Sequence, residues 1–287
     1  MRRIVHHIEE NHATIKIEGL TDSYRLLHLT DCHILKVDER DGALQETFAA
    51  VAERREPNHL AYAEMMERIK TMEADLLVLS GDVVEAPSAA SVEFAMAGLD
   101  QLPYPFIFTP GNHDWNFEQV RFDDEELQKG LVPLEPLHRG NPSFHAMQCG
   151  EIRVLHVDNS DYQINAEQLE FLREEFAREE PMVLVIHIPL SLPTLREACI
   201  DKWKSAIMIG DPVWNAKEPG GWGAQSLTTK ETWEAIELIS NCKNLAAVLC
   251  GHLHFQHTDV VSDNCVQYLG GDTTSGYLGI LDFKALE

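Results

Sequence analysis

Asp75-Leu76-Leu77-Val78-Leu79-Ser80-Gly81-Asp82 is an apolar run that stops at a glycine and a carboxylate. Residues 75–79 predict a buried strand, and the glycine permits a tight turn with close approach of backbone to a ligand. The same arrangement recurs on either side. Arg25-Leu26-Leu27-His28-Leu29 stops at Thr30-Asp31-Cys32-His33, and Phe106-Ile107-Phe108 stops at Pro110-Gly111-Asn112-His113-Asp114. Residues 182–186 end at His187, and residues 245–249 end at Gly251-His252-Leu253-His254. Function in open α/β sheets concentrates beyond the carboxyl ends of strands. Separate strands thus deliver Asp31 and His33, then Asp82, then Asn112 and His113, then His187, then His252 and His254, an order that coincidence does not explain. In D-x-H and H-x-H an extended chain would point both side chains to one side. A single block says little: Gly210-Asp211 follows no clear strand, and His6, His7, His12, His28 and His257 read as surface or strand-face residues.

Between the blocks, residues 4–8 and 14–17 predict short strands, a hairpin by their spacing. Leu60, Ala63, Met66 and Ile69 recur at helical spacing across residues 60–72, and a second helix is expected over 91–99. Residues 144–147 and 152–157 predict an antiparallel pair across Cys149-Gly150. Asn165, with Gln168 three residues on, reads as the N-cap of a helix through residue 176. A helix over 229–239 and strands near 266–269 and 277–283 complete the pattern. Alternating β and α early with antiparallel strands late predicts α/β sheets covered by helices. We read residues 1–287 as one domain with substrate-loop insertions near 36–57 and 189–228. The second insertion lacks periodicity and carries Trp203, Trp214 and Trp222, large surfaces that a solvated loop does not readily tolerate.

The 287 residues are 44% hydrophobic and 24% charged, an ordinary globular balance. The formal net charge of −24 repels nucleic-acid phosphates, and no Lys/Arg stripe relieves it, so no nucleic-acid partner is expected. No run reaches the roughly 18 apolar residues of a membrane span, and the N-terminus lacks a signal-peptide core. The expectation is a soluble, cytoplasmic protein without a membrane partner. The six cysteines form no C-x-x-C pair and read as buried thiols, Cys32 among them as core packing.

The ordered blocks Asp31-Cys32-His33, Gly81-Asp82, Gly111-Asn112-His113-Asp114, His187 and Gly251-His252-Leu253-His254 resemble the calcineurin-like metallophosphoesterase superfamily. The likeness runs from about residue 25 to the C-terminus, and the motif set looks like that of the bacterial cyclic-nucleotide phosphodiesterase group. It implies a four-layer α/β/β/α sandwich of two mixed sheets with metals at one edge. Asp31, His33, Asp82 and His254 would hold one ion; Asp82, Asn112, His187 and His252 would hold the other, with Asp82 bridging. The oxygen and imidazole donors suit Mn, Fe, Zn or Mg. Two such ions clamp a phosphate and lower the pKa of a shared water, so that a bridging hydroxide would attack phosphorus in line. His113 would be a catalytic acid and not a ligand.

Glu85 stands where many relatives have an aspartate that orients the histidine of the G-N-H block, so Glu85 is expected to orient His113; its plainer reading is a surface acid. A tyrosinate-coloured iron site is not expected. Asp114 would either fix a ligand histidine or cap a helix. Ala86 and Pro110 stand where protein phosphatases of the superfamily carry arginine, which disfavours a phosphoprotein substrate. The resulting expectation is hydrolysis of a small phosphodiester or phosphomonoester, such as a cyclic nucleotide or glycerophosphodiester. A nucleotide pyrophosphatase and a non-catalytic scaffold of the same fold are the alternatives, and a nuclease is disfavoured by the charge. A homo-oligomer is compatible with the sequence. At least one of the three tryptophans is expected to line the substrate cleft.

Overall fold

The computed structural model describes residues 2–117, 124–211 and 228–287, and in them two six-stranded sheets pack face to face. A hairpin of β1 (Ile4–Glu9) and β2 (His12–Ile17) precedes β3 (Tyr24–Leu29). Helices α1 (Gln45–Arg54) and α2 (Glu56–Ile69) lead to β4 (Leu76–Leu79), and α3 (Ala89–Leu99) leads to β5 (Phe106–Phe108). After α4 (Asn112–Trp115) and α5 (Asp124–Leu131) come β6 (Phe144–Cys149), β7 (Ile152–Val157), α6 (Ala166–Phe176) and β8 (Met182–Val185). Then follow α7 (Pro193–Trp203), α8 (Lys230–Asn241), β9 (Leu245–Cys250), β10 (His257–Val260), β11 (Val266–Leu269) and β12 (Gly279–Ala285).

The first sheet has the order β1-β2-β12-β3-β4-β5 and the second β10-β11-β9-β8-β7-β6. Each is mixed. In the first, β3, β4 and β5 run parallel while β12 meets β3 antiparallel. In the second, β7, β8, β9 and β11 run parallel, flanked by antiparallel β6 and β10.

Side-chain alternation along these apolar strands sorts the core into layers. Leu76 and Val78 of β4 join Ile15, Leu26, Val183, Val185 and Leu249 in a cluster between the sheets. Leu77 and Leu79 turn the other way, with Leu27, Leu29 and Phe108, onto Tyr62, Met66, Ile69 and Val92 of α2 and α3. On the far side Leu184 and Val248 meet Leu169, Leu172, Ala235 and Ile239 of α6 and α8. Helix, sheet, sheet, helix is the four-layer sandwich that the ligand blocks implied. The Asn165–Gln168 capping box at the start of α6 is also present.

Residues 189–228 are not loop throughout. Pro193 starts α7, whose buried residues are Leu195 and Cys199 alone, a stripe too thin to give a periodic signal. The 36–57 stretch likewise contains a 3-10 turn, Glu39–Leu44, and α1, which buries only Phe48. Strand β10 was not anticipated, because His257-Thr258-Asp259-Val260 alternates between half-buried and exposed and is mostly polar. Trp214 and Trp222 lie outside the described residues. Among the described residues, no helix is long and apolar enough to cross a membrane. All six cysteines are buried and none is in a disulfide.

Candidate metal centre

The parallel strands of both sheets end at one place. Asp31 and His33 follow β3, Asp82 follows β4, and Asn112 and His113 open α4 just after β5; His187 follows β8, and His252 and His254 follow β9. The chain does not reach these positions by extended alternation. Asp31, His33, Asp82, His252 and His254 have φ of +52°, +49°, +52°, +76° and +54°. The paired side chains of D-x-H and H-x-H therefore converge through left-handed turns, a conformation non-glycine residues adopt at a cost and hold only where surroundings over-determine it.

Those surroundings are hydrogen bonds between ligand loops. Asp31 N–H donates to the Gly81 carbonyl at 3.0 Å, His33 N–H to the Asp82 carbonyl at 2.9 Å, and Gly251 N–H to the His187 carbonyl at 3.0 Å. Buried Asp114 accepts from the backbone N–H of Asp82 (2.7 Å), Val84 (2.8 Å) and Gly111 (2.7 Å). It thus caps α4 and pins the Asp82 loop, and these bonds go to backbone, not to a ligand histidine. Burial and the neighbouring Asp82 charge push Asp114 up to about 8. The glycines are forced by space. A Cβ on Gly111 would sit 2.2 Å from Asp82 Oδ1, and one on Gly81, at φ +93°, 2.4 Å from His187 Nδ1.

The expected donors fall in two groups that share Asp82, and a third group joins His33 to Glu85 and His113. Asp31, His33, Asp82 and His254 each offer one ligand atom within 4.8 Å of the others, and so do Asp82, His187 and His252. In the first group His33 Nε2 faces His254 Nε2 at 3.0 Å, and His254 Nε2 lies 3.2 Å from Asp31 Oδ1. In the second, His187 Nε2 lies 3.2 Å from Asp82 Oδ2 but without hydrogen-bond geometry. Asp82 is common to both.

Tautomers follow from the outer partners. His187 Nδ1 donates to the Ser80 carbonyl at 2.7 Å, and His33 Nδ1 donates to Glu85 Oε2 at 2.7 Å. In the neutral rings this leaves both Nε2 atoms free to bind an ion. Tyr162 OH stands 3.2 Å from His252 Nε2, which leaves His252 Nδ1 for an ion.

The electrostatics follow from burial working against these neighbours. Burial would lower His187, yet the Asp82 and Asp31 carboxylates bring it to about 9. His254 is raised in the same way by Asp31, while burial carries His252 down to about 3. Burial opposes the charge on Asp31, and His254 and His187 outweigh it, holding the carboxyl at about 2.

This donor set fits divalent ions. Asn112 Oδ1 and His187 Nε2 are buried with no hydrogen-bond partner, an expensive arrangement that a cation resolves. His33 Nε2 and His254 Nε2 meet at 3.0 Å beside two buried carboxylates, where a cation would take the place of the proton between them. No thiol competes: Cys32, on the Asp31–His33 loop, is buried in the core and hydrogen-bonded by Thr273.

Glu85 and His113 flank the donors. The Glu85 bond falls on His33; His113 Nδ1 lies 3.4 Å from Glu85 Oε2 and makes no hydrogen bond. His113 stacks edge-on against His33 at 4.8 Å with about a quarter of its side chain exposed. Two residues here carried no sequence signal, Arg55, whose Nη2 bonds Glu85, and Tyr162.

The sequence profile of the calcineurin-like phosphoesterases matches residues 24–256. The chain belongs to that family. The chain is 24% identical over 193 residues to a Fibrobacter succinogenes protein named "probable cyclic nucleotide phosphodiesterase", a match covering 67% of this chain and 62% of the other. It shares its fold with a purple acid phosphatase from yellow lupin seeds (TM-score 0.56, 13% identity, covering 92% of this chain and 46% of that one). A dimetal phosphatase from Danio rerio superposes with a TM-score of 0.52 at 9% identity, covering 88% of each chain. The chain thus spans less than two thirds of the bacterial relative and about half of the lupin chain. Within that family match the described residues carry a candidate dimetal site.

Proposed function

We propose that the chain hydrolyses a small phosphodiester or phosphomonoester, a cyclic nucleotide above others, at two ions of Mn, Fe, Zn or Mg. Asp31, His33, Asp82 and His254 would hold one ion, and Asp82, Asn112, His187 and His252 the other. The observation that carries this reading is the convergence of six carboxylate and imidazole donors, with orphaned polar atoms on His187 and on Asn112. Bound ions there supply Lewis-acid neutralisation of phosphoryl charge and an acidified water.

The protein's own residues do the rest. The left-handed ligand loops hold the donors in place before substrate arrives, which is the preorganisation a charged transition state needs. His113, partly exposed beside the donors, protonates the leaving oxygen. Burial lowers its pKa, with Asp82 opposing. An arriving phosphate adds negative charge nearby and favours the imidazolium.

Trp203 points to the leaving group. It is 40% exposed, lies edge-on to His254 at 5.9 Å, and its Nε1 donates to the Leu253 carbonyl at 3.0 Å. A fixed, exposed indole one ring away from a proposed ligand suits a planar base better than a glycerol. The name of the bacterial relative agrees with that preference. A nucleotide pyrophosphatase would use the same indole and is the second reading. A non-catalytic scaffold has no need of the intact donor set. The test is a turnover screen with Mn²⁺ against cyclic nucleotides, nucleoside diphosphate esters, glycerophosphodiesters and nitrophenyl phosphates. Fastest kcat/KM on a cyclic nucleotide supports the reading; no turnover of any ester sinks it.

A further inference from the structure

We propose that Arg55 is a positioning residue that fixes the Glu85 carboxylate between two imidazoles of the site, an inference that rests on the metal-centre reading above. Arg55 comes from no ligand block. It is the junction residue that ends α1 and begins α2, within the polar stretch that precedes the second strand of the site. Its Nη2 donates to Glu85 Oε1 at 2.9 Å and lies 2.8 Å from Oε2, so one amino group spans both oxygens. Oε2 in turn accepts from His33 Nδ1 at 2.7 Å and stands 3.4 Å from His113 Nδ1.

Glutamate has three side-chain torsions, and a carboxylate at the mouth of a site would otherwise swing among them. Arg55 removes that freedom because its own backbone is anchored to the loop it serves. One turn into α2, Asn58 Nδ2 donates to the Cys32 carbonyl at 3.0 Å, and His59 Nε2 accepts the Leu35 N–H at 3.1 Å. The loop that carries His33 and the helix junction that carries Arg55 are thereby one unit, with Glu85 clamped across it. An outer carboxylate that orients a ligand imidazole is worth 10- to 100-fold in affinity or activity in metal sites generally. Arg55 acts one step further out, through Glu85.

The experiment is a double-mutant cycle of Arg55→Ala and Glu85→Ala, with Mn²⁺ affinity by titration calorimetry, kcat, KM and thermal midpoint read for each protein. Arg55→Ala should weaken Mn²⁺ binding and lower kcat by roughly 10-fold, with KM nearly unchanged and a cooperative melt retained. Arg55→Lys, which keeps charge without the fork, should recover part of the loss and covers the case in which the alanine variant folds poorly. In the Glu85→Ala background, removing Arg55 should change neither quantity further. Equal losses in both backgrounds, a rise in KM alone, or no change on Arg55→Ala would each overturn the proposal. Absence of Mn²⁺ binding and turnover in the unmodified protein would overturn the metal-centre reading itself, and this inference with it.

Discussion

The carboxylate of Asp31 accepts the backbone N–H of His252 through both oxygens, at 3.1 and 3.0 Å. Asp31 ends a strand of the first sheet and His252 follows a strand of the second, so one carboxylate ties the two ligand loops across the sandwich. Asp31→Asn keeps an acceptor for that N–H but removes the charge. The melting temperature should stay within a few degrees while Mn²⁺ affinity falls at least tenfold. Asp31→Ala also strands a buried N–H and should cost about 1–3 kcal/mol in denaturant unfolding. If the two variants lose metal and stability alike, the carboxylate has no separate charge role.

Asp82 belongs to both donor groups, so Asp82→Ala should lower the metal content from two ions per chain toward none, by elemental analysis. In the unmodified protein, Mn²⁺ at a hundred times its dissociation constant should stabilise the fold by about 2.7 kcal/mol. Chelation should abolish turnover and added Mn²⁺ should restore it. Activity that survives exhaustive chelation would contradict the metal role.

The proposed role of His113 is that of a proton donor and not of a ligand. His113→Ala should lower kcat by a factor on the order of 10² to 10⁴ for esters with poor leaving groups, and less for nitrophenyl esters. Metal content should be unchanged. Equal losses on both substrates would remove His113 from the acid role.

Trp203→Ala should raise KM for a cyclic nucleotide several-fold and leave KM for a nitrophenyl phosphate alone. An equal effect on both substrates would make the indole a structural cover for His254.

His156 gives a pH signature unconnected with the site. Its Nε2 lies 3.1 Å from the Asn141 carbonyl, its Nδ1 has no partner, and burial carries it down to about 3. The unfolded chain takes up this proton near pH 6.5, the folded protein only near pH 3. Between those values the unfolded state binds more protons, so stability falls with falling pH by about 1.4 kcal/mol per unit. His156→Gln should flatten the unfolding free energy by about that slope between pH 6 and 4, and change no slope above pH 7. Denaturant melts across the pH range decide it.

Most of the strands were legible because apolar runs such as Leu76-Leu77-Val78-Leu79 are buried on both faces. Ligand-type residues at five strand ends named the side chains that the structure brings together. The means of convergence was hidden: nothing in Asp31-Cys32-His33 announces φ of +52° and +49°, since left-handed backbone is imposed by neighbouring loops. Arg55 was invisible for a related reason. A lone arginine in a polar stretch has no pattern, and its meaning comes from a fold that sets it against Glu85. The spacing from Asp82 that pointed Glu85 at His113 is a distance along the chain, whereas its hydrogen bond is decided by the position of His33.

The left-handed backbone at Asp31, His33, Asp82, His252 and His254 has a consequence for how this protein can change. Glycine occupies that conformation without the strain a Cβ brings, and would also remove a metal-binding type of side chain from a crowded interior. Relief of backbone strain is worth on the order of 1 kcal/mol at each position in the metal-free protein, and at Asp31 and Asp82 the lost acceptor for a neighbouring N–H offsets it. Selection for robustness and selection for chemistry therefore pull in opposite directions at these five positions. A sequence chosen for backbone ease alone would lose these candidate metal donors first.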